Sequence, residues 1–283
     1  MWERLLRMDR RIIYGVLALV VVLPFVLKWQ PPPGETNKWT RAVYDYLEKL
    51  PPGTPVLLSV DYQPAGKPEL HPMSMALARH ILSRNLRLVT MTLVPEGVLL
   101  AQEVASRTGK ELGKEDGVDY VNLGWKPNPL AVMLGLGESV KRTFPRDAQD
   151  RPTSSLPVLQ GVNGLKDFGL VLTISGTALP GTWVVVAHQK FKVPLATGVT
   201  AVNAPDLYVY LGTGQLVGML NGIKGAAEYE YLIGHPDQAA VGLPAVSAVH
   251  AWVVLLVILG NVGYFVTRRQ RGARLARAAQ GGE

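Results

Sequence analysis

Apolar and polar positions follow different rhythms along this chain. At both ends the apolar residues run on without a break. Val246–Val266 (VSAVHAWVVLLVILGNVGYFV) contains no Asp, Glu, Lys or Arg. Roughly 20 residues at ~1.5 Å rise cross a hydrocarbon core of ~30 Å, so this stretch is predicted to span a membrane. Ile12–Leu27 (IIYGVLALVVVLPFVL) is a second, shorter run, at the lower limit for a span. A basic start and a short run also fit a secretory signal. The residues that follow, Lys28-Trp29-Gln30-Pro31-Pro32-Pro33, offer no pair of small residues for cleavage. An uncleaved signal anchor is therefore expected, with Trp29 at the outer interface.

Between the two runs, short apolar bursts alternate with segments of helical period. A helix is predicted at Lys38–Leu50, with Val43, Leu47 and Leu50 on one face, ended by Pro51-Pro52-Gly53. Strands are predicted at 56–61 (VLLSVD), 86–94, 118–123, 168–174 and 193–199. Helices are predicted at 68–85, 97–112 and 130–144, and one or two more at 206–232. Residues 177–190 favour a strand by composition, but a parallel pair needs a crossover, so a helix is expected there. Apolar strands alternating with amphipathic helices imply a parallel sheet covered on both faces. The expectation is a doubly wound, mostly parallel, five-stranded α/β domain, with strand order 3-2-1-4-5 or 2-1-3-4-5. This element order resembles flavodoxin-like, Rossmann-like and periplasmic-binding-type architectures, and the resemblance carries no function with it. Pro145–Pro157 (PRDAQDRPTSSLP) reads as a surface loop, either a solvated connection or a lid or docking site.

Charge then orients the chain. The formal net charge is +7, of which +2 falls within residues 1–11 and +4 within 268–283, leaving +1 for everything between. The basic character thus belongs to the membrane flanks and reads as topology, not as a face for nucleic acid. Both termini are expected in the cytoplasm and the main domain outside the plasma membrane. The predicted divisions are a basic cytoplasmic N-terminus (1–11), the first transmembrane helix (12–28) and a Pro-rich spacer (29–37). The extracytoplasmic α/β domain (38–242), the second transmembrane helix (243–267) and a basic cytoplasmic tail (268–283) complete the chain. The absence of Cys excludes disulfides and thiolate chemistry, so the domain must be held by its own core. That absence and the lack of Asn-x-Ser/Thr sequons suit a prokaryotic envelope protein.

Candidate chemistry follows from the fold more than from motifs. In open α/β sheets, ligands bind outside the carboxyl ends of the strands. That rule selects Asp61 and Tyr62, Glu96, Asn122, Ser175 and Thr177, and Asn203 as ligand-binding candidates. Asp61 could bind a ligand hydroxyl or a cation, or accept bonds from a neighbouring loop. Ser175 and Thr177 could favour an anion at a helix start, or simply cap that helix. There is no GxSxG, no GxxxxGK[ST] and no HExxH, and Gly135-Leu136-Gly137 is no dinucleotide fingerprint. No catalytic residue, metal site or cofactor is expected.

Gly214, Gly218 and Gly222 fall at i, i+4 and i+8, and on a helix would form a smooth stripe. Glycine at each turn costs ~1 kcal/mol against Ala, so close packing, a partner helix or a membrane surface should offset it. Asn261, deep in the second anchor, would seek an interhelical hydrogen bond. These four residues are the interface candidates. The leading expectation is a non-catalytic, membrane-anchored subunit or scaffold of a cell-envelope complex, with the bilayer and a membrane protein or a second copy as partners. The alternatives are an extracytoplasmic small-molecule binding or sensing domain using the strand-end crevice, and a membrane-tethered hydrolase.

Overall fold

Every strand of the central sheet runs in the same direction, because each is followed by a helical crossover that returns the chain to the same edge. In the computed structural model, which describes residues 9–27 and 29–280 and the side chains as far as 268, the sheet has six strands in the order β3-β2-β1-β4-β5-β6. They are β1 (Pro55–Asp61), β2 (Arg87–Thr92), β3 (Tyr120–Trp125), β4 (Leu170–Ser175), β5 (Leu195–Val199) and β6 (Met219–Asn221). This is the first of the two expected orders, extended by one strand. Pro32–Ala240 forms one compact unit.

In chain order the helices are α1 (Arg10–Val26), α2 (Lys38–Glu48), α3 (Lys67–Ser83), α4 (Val98–Glu111), α5 (Pro129–Glu138) and α6 (Val140–Thr143). They continue with α7 (Leu179–Trp183, running on as a π-helix through Val184–Lys190), α8 (Tyr208–Gly212), α9 (Gly222–Leu232) and α10 (Gln238–Gln280). Strand residues alternate between the two faces of the sheet. Leu57, Val89, Val121, Val171 and Leu195 join residues of α5 and α7, with Trp183 and Phe191, in one core. Helices α3, α4 and α9 pack together, α3 and α4 against the sheet, and α2 packs on β6 and α9. Gly198 in β5 leaves room for α3: a Cβ there would stand 2.9 Å from the Met73 sulfur.

Three polar contacts tie this layer together. His80 on α3 lies 2.7 Å from the Tyr229 hydroxyl of α9 and 2.8 Å from Glu48 Oε1 of α2. Arg79 donates twice to Glu111, at the end of α4, and reaches Asp237 at 3.4 Å. The buried Glu230 carboxylate accepts from the backbone N–H groups of Asp237, Ala239 and Ala240 at 2.8–3.0 Å, satisfying donors that open α10. Residues 237–240, the last of this unit, therefore lie beside the ends of α3 and α4.

The structure corrects the sequence reading in the number of strands and in the glycines. The sheet has six strands, not five, because part of 206–232 is extended. Gly214 (φ +72°) and Gly222 (φ +57°) are left-handed; Gly214 follows the end of α8 and Gly222 opens α9, so neither continues a helix. Gly218 lies between them where the chain passes α2: a Cβ would collide with the Trp39 carbonyl oxygen and stand 2.7 Å from Val43 Cγ2. The glycines thus serve a turn, the approach to a strand and a helix start, and form no stripe. Residues 145–157 form a largely exposed surface segment, as expected, which also clasps edge strand β3. Ala148 N–H donates to the Asn122 carbonyl oxygen, and buried Asp147 holds Arg151, which pairs with Asp116 at 2.7 Å. It covers a sheet edge that would otherwise template pairing. Among the described helices one, Gln238–Arg268, is long and apolar enough to cross a membrane. Helix α1, with 17 residues, extends about 26 Å. The expectations for residues 1–8, and for the arginine side chains beyond Arg268, lie outside the described residues.

Candidate functional site

The strand order reverses between β1 and β4, and that is where an open α/β sheet usually admits a ligand. Here the position is filled by protein. Asp61 and Ser175 end the two strands in register and both are fully buried. Asp61 Oδ1 accepts from the Leu93 N–H at 2.7 Å and from the Ser59 hydroxyl at 2.8 Å; Oδ2 accepts from the Thr173 hydroxyl at 3.2 Å. One carboxylate therefore joins β1, β4 and the turn after β2. Burial pushes its pKa up to about 6, and these hydrogen bonds oppose the rise. The neighbouring Trp183 indole N–H also favours the ionised form, although it makes no hydrogen bond of good geometry. The Ser175 hydroxyl donates to the Asp61 carbonyl oxygen and shares a bond with the Thr177 hydroxyl.

Tyr62 and Asn122 are core residues as well. The Tyr62 hydroxyl lies 2.9 Å from His71 Nδ1 and 3.1 Å from Ser74 Oγ. His71 Nε2 faces Glu103 at 3.5 Å, and Glu103 accepts from Lys67 at 2.8 Å. Desolvation lowers the His71 pKa to about 4, so its ring is neutral at pH 7, and burial raises that of Tyr62. Sequence reasoning missed this polar chain. Its one legible sign was the spacing of His71 and Ser74, three apart on one helix face. Asn122 donates to Gln102 and accepts from the Gly124 N–H, which holds the end of β3. Glu96 is exposed on the turn before α4.

The open space lies one strand over. A cleft of about 320 Å³ separates the loop after β4 (Gly176, Thr177, Ala178, with Pro180 and Gly181 of α7) from the segment after β5 (Asn203, Asp206, Leu207 and Tyr210). The structure thus brings Thr177 and Asn203 together and adds Asp206 and Tyr210, which sequence reasoning passed over. Among the described residues, the Asn203 amide, the Asp206 carboxylate and the Tyr210 hydroxyl make no side-chain hydrogen bond within the protein, and no group of three His, Cys, Asp or Glu converges. A π-helix, the continuation of α7, begins three residues beyond the lining residue Gly181; such segments recur at functional sites.

The same edge of the sheet is apolar outside the cleft. Leu99 is 79% exposed in the first turn of α4, and Val202 85% exposed after β5. Trp125 stands exposed at the end of β3, Leu130 in the first turn of α5, and Tyr208 and Val209 on α8. Of the interface candidates, Gly218 is packed inside the domain, Gly214 faces open space, Gly222 abuts Ala201, and Asn261 is exposed on α10. Comparison of the chain with family models, curated proteins and solved structures yields no match.

Proposed function

We propose that this chain is a membrane-anchored, non-catalytic subunit of a cell-envelope complex, whose α/β domain docks a protein partner along the carboxyl edge of the sheet. The observation that carries this reading is the exposed apolar edge. Neighbouring strands are ~4.8 Å apart, so side chains placed from β3 to β5 extend over about 19 Å, wider than a small ligand needs. Exposed large apolar side chains gathered on one edge favour a protein surface. Helix α10 and the shorter α1 serve as anchors, with both termini in the cytoplasm and the domain outside. The test is the full-length protein, purified natively in mild detergent and weighed by native mass spectrometry. A co-purifying subunit or a discrete homo-oligomer, lost in a Leu99→Asp/Val202→Asp variant, is the expected result. A bare monomer would sink the proposal.

The cleft beside Gly176 favours a second reading, small-molecule binding outside the membrane. It stands beside the filled crevice and uses Thr177 and Asn203 of the residues first selected. Its volume is at the small end of the ~300–1,000 Å³ typical of ligand pockets.

A further inference from the structure

We propose that the cleft between the β4–α7 and β5–α8 segments binds a neutral, polyhydroxylated ring, that is, a sugar. The proposal rests on the small-molecule reading above and adds its chemical class. The lining contains no Lys, Arg or His, and its one acidic residue is Asp206. A phosphate or carboxylate ligand would meet repulsion and no counter-charge. A divalent cation would need several further oxygen ligands, and no second acid lines the cleft. A simple ammonium would have Asp206 to pair with, but that carboxylate is exposed, where an ion pair contributes little.

What remains is hydrogen bonding and apolar contact. The Asp206 carboxylate accepts, and the Asn203 amide both donates and accepts, a combination that suits adjacent hydroxyl groups. Both are uncommitted within the protein. Tyr210 and Leu207 offer an aromatic ring and an apolar wall to the C–H face of a sugar. Gly181 keeps the space open: a Cβ there would stand 4.0 Å from the Tyr210 hydroxyl, so a larger side chain would narrow the cleft. The volume suits one ring better than a long chain.

The experiment is ligand-observed NMR or calorimetry on the full-length protein in a polyoxyethylene detergent, which carries neither a sugar nor an ammonium group. The probes are glucose, N-acetylglucosamine, choline and glucose 6-phosphate. A neutral sugar should bind with a Kd of about 1 mM or tighter. Asp206→Ala and Asn203→Ala should each weaken it by about tenfold, and Gly181→Val should weaken it with the polar groups intact. Glu96→Gln, outside the cleft, should leave binding unchanged. Choline binding in place of sugars, sensitive to the same variants, would overturn the sugar class and leave the small-molecule reading standing. No binding by any probe to folded protein would overturn both. Sugar binding that survives Asp206→Ala, Asn203→Ala and Gly181→Val would place the sugar elsewhere and overturn the proposal.

Discussion

Two aspartates follow or end neighbouring parts of the same sheet, and they have opposite fates. Asp61 closes β1 and is wholly enclosed, with three protein donors on its carboxylate. Asp206 follows β5, lies in the wall of an open cleft and has no side-chain partner within the protein. A buried carboxylate must be satisfied by its surroundings, so Asp61 is spent on holding strands together. An exposed one is satisfied by water, which a ligand can replace. The lesson is that position at a strand end selects both residues, while the supply of internal donors separates the structural one from the available one.

The comparison breaks most visibly at Asp61 itself. Asp61→Ala should leave the Leu93 N–H and the Ser59 and Thr173 hydroxyls without their acceptor, destabilising the domain by about 3 kcal/mol or more in chemical denaturation. An effect near zero would mean that the carboxylate does not tie the strands.

The pH dependence sharpens the same point. Folded, Asp61 keeps its proton up to about pH 6, against 3.8 for the free group. The folded state binds the extra proton, so this contribution is complete below about pH 4 and is lost as pH rises through 6. His71 acts in the opposite sense: its pKa falls from 6.5 to about 4 on folding. Its contribution is present above pH 6.5 and is lost as pH falls through 4. Each is worth about 3 kcal/mol. Relative to the unsubstituted protein, Asp61→Asn should therefore lose stability on acidification from pH 6.5 to 4, and His71→Gln should gain it. Denaturation midpoints across that range give both signs, and parallel profiles would refute the pair.

Gly218→Ala places a methyl group against the Trp39 carbonyl and the Val43 side chain. A loss of about 1–3 kcal/mol is expected from this overpacking, read as a lower midpoint. At an exposed stripe the same change would have been favourable or neutral, so the measurement separates the two readings of the glycines. The smallest effect belongs to Asp206. Asp206→Ala should move stability by less than about 0.5 kcal/mol, because nothing in the fold depends on its side chain. A large loss there would erase the contrast with Asp61.

Much of the fold was legible in the chain. The helices at Lys38, Lys67 and Val98, and strands β1, β2 and β5, lie within a few residues of their predicted places, because apolar period reports burial directly. The long apolar run became a continuous helix. The middle of 206–232 was misread, since a regular spacing of Gly214, Gly218 and Gly222 suggests a helix face, whereas Gly214 and Gly222 adopt positive φ angles that a continuous helix does not contain. The candidate site was legible only as a rule about strand ends. That rule selected Thr177 and Asn203, which line the cleft, but gave no means of knowing that Asp61, Tyr62, Asn122 and Ser175 would be enclosed.

The chain by itself determined what local pattern and composition can carry: an α/β domain with parallel strands, apolar runs at both ends, and most of the net positive charge in the flanks. Tertiary structure alone decided which strand ends are sealed and which stay open. The reason is physical. Burial of a polar side chain depends on donors and walls from distant segments, such as Leu93 and Thr173 around Asp61, or Gly181 facing Tyr210. No window along the sequence contains both partners of those contacts.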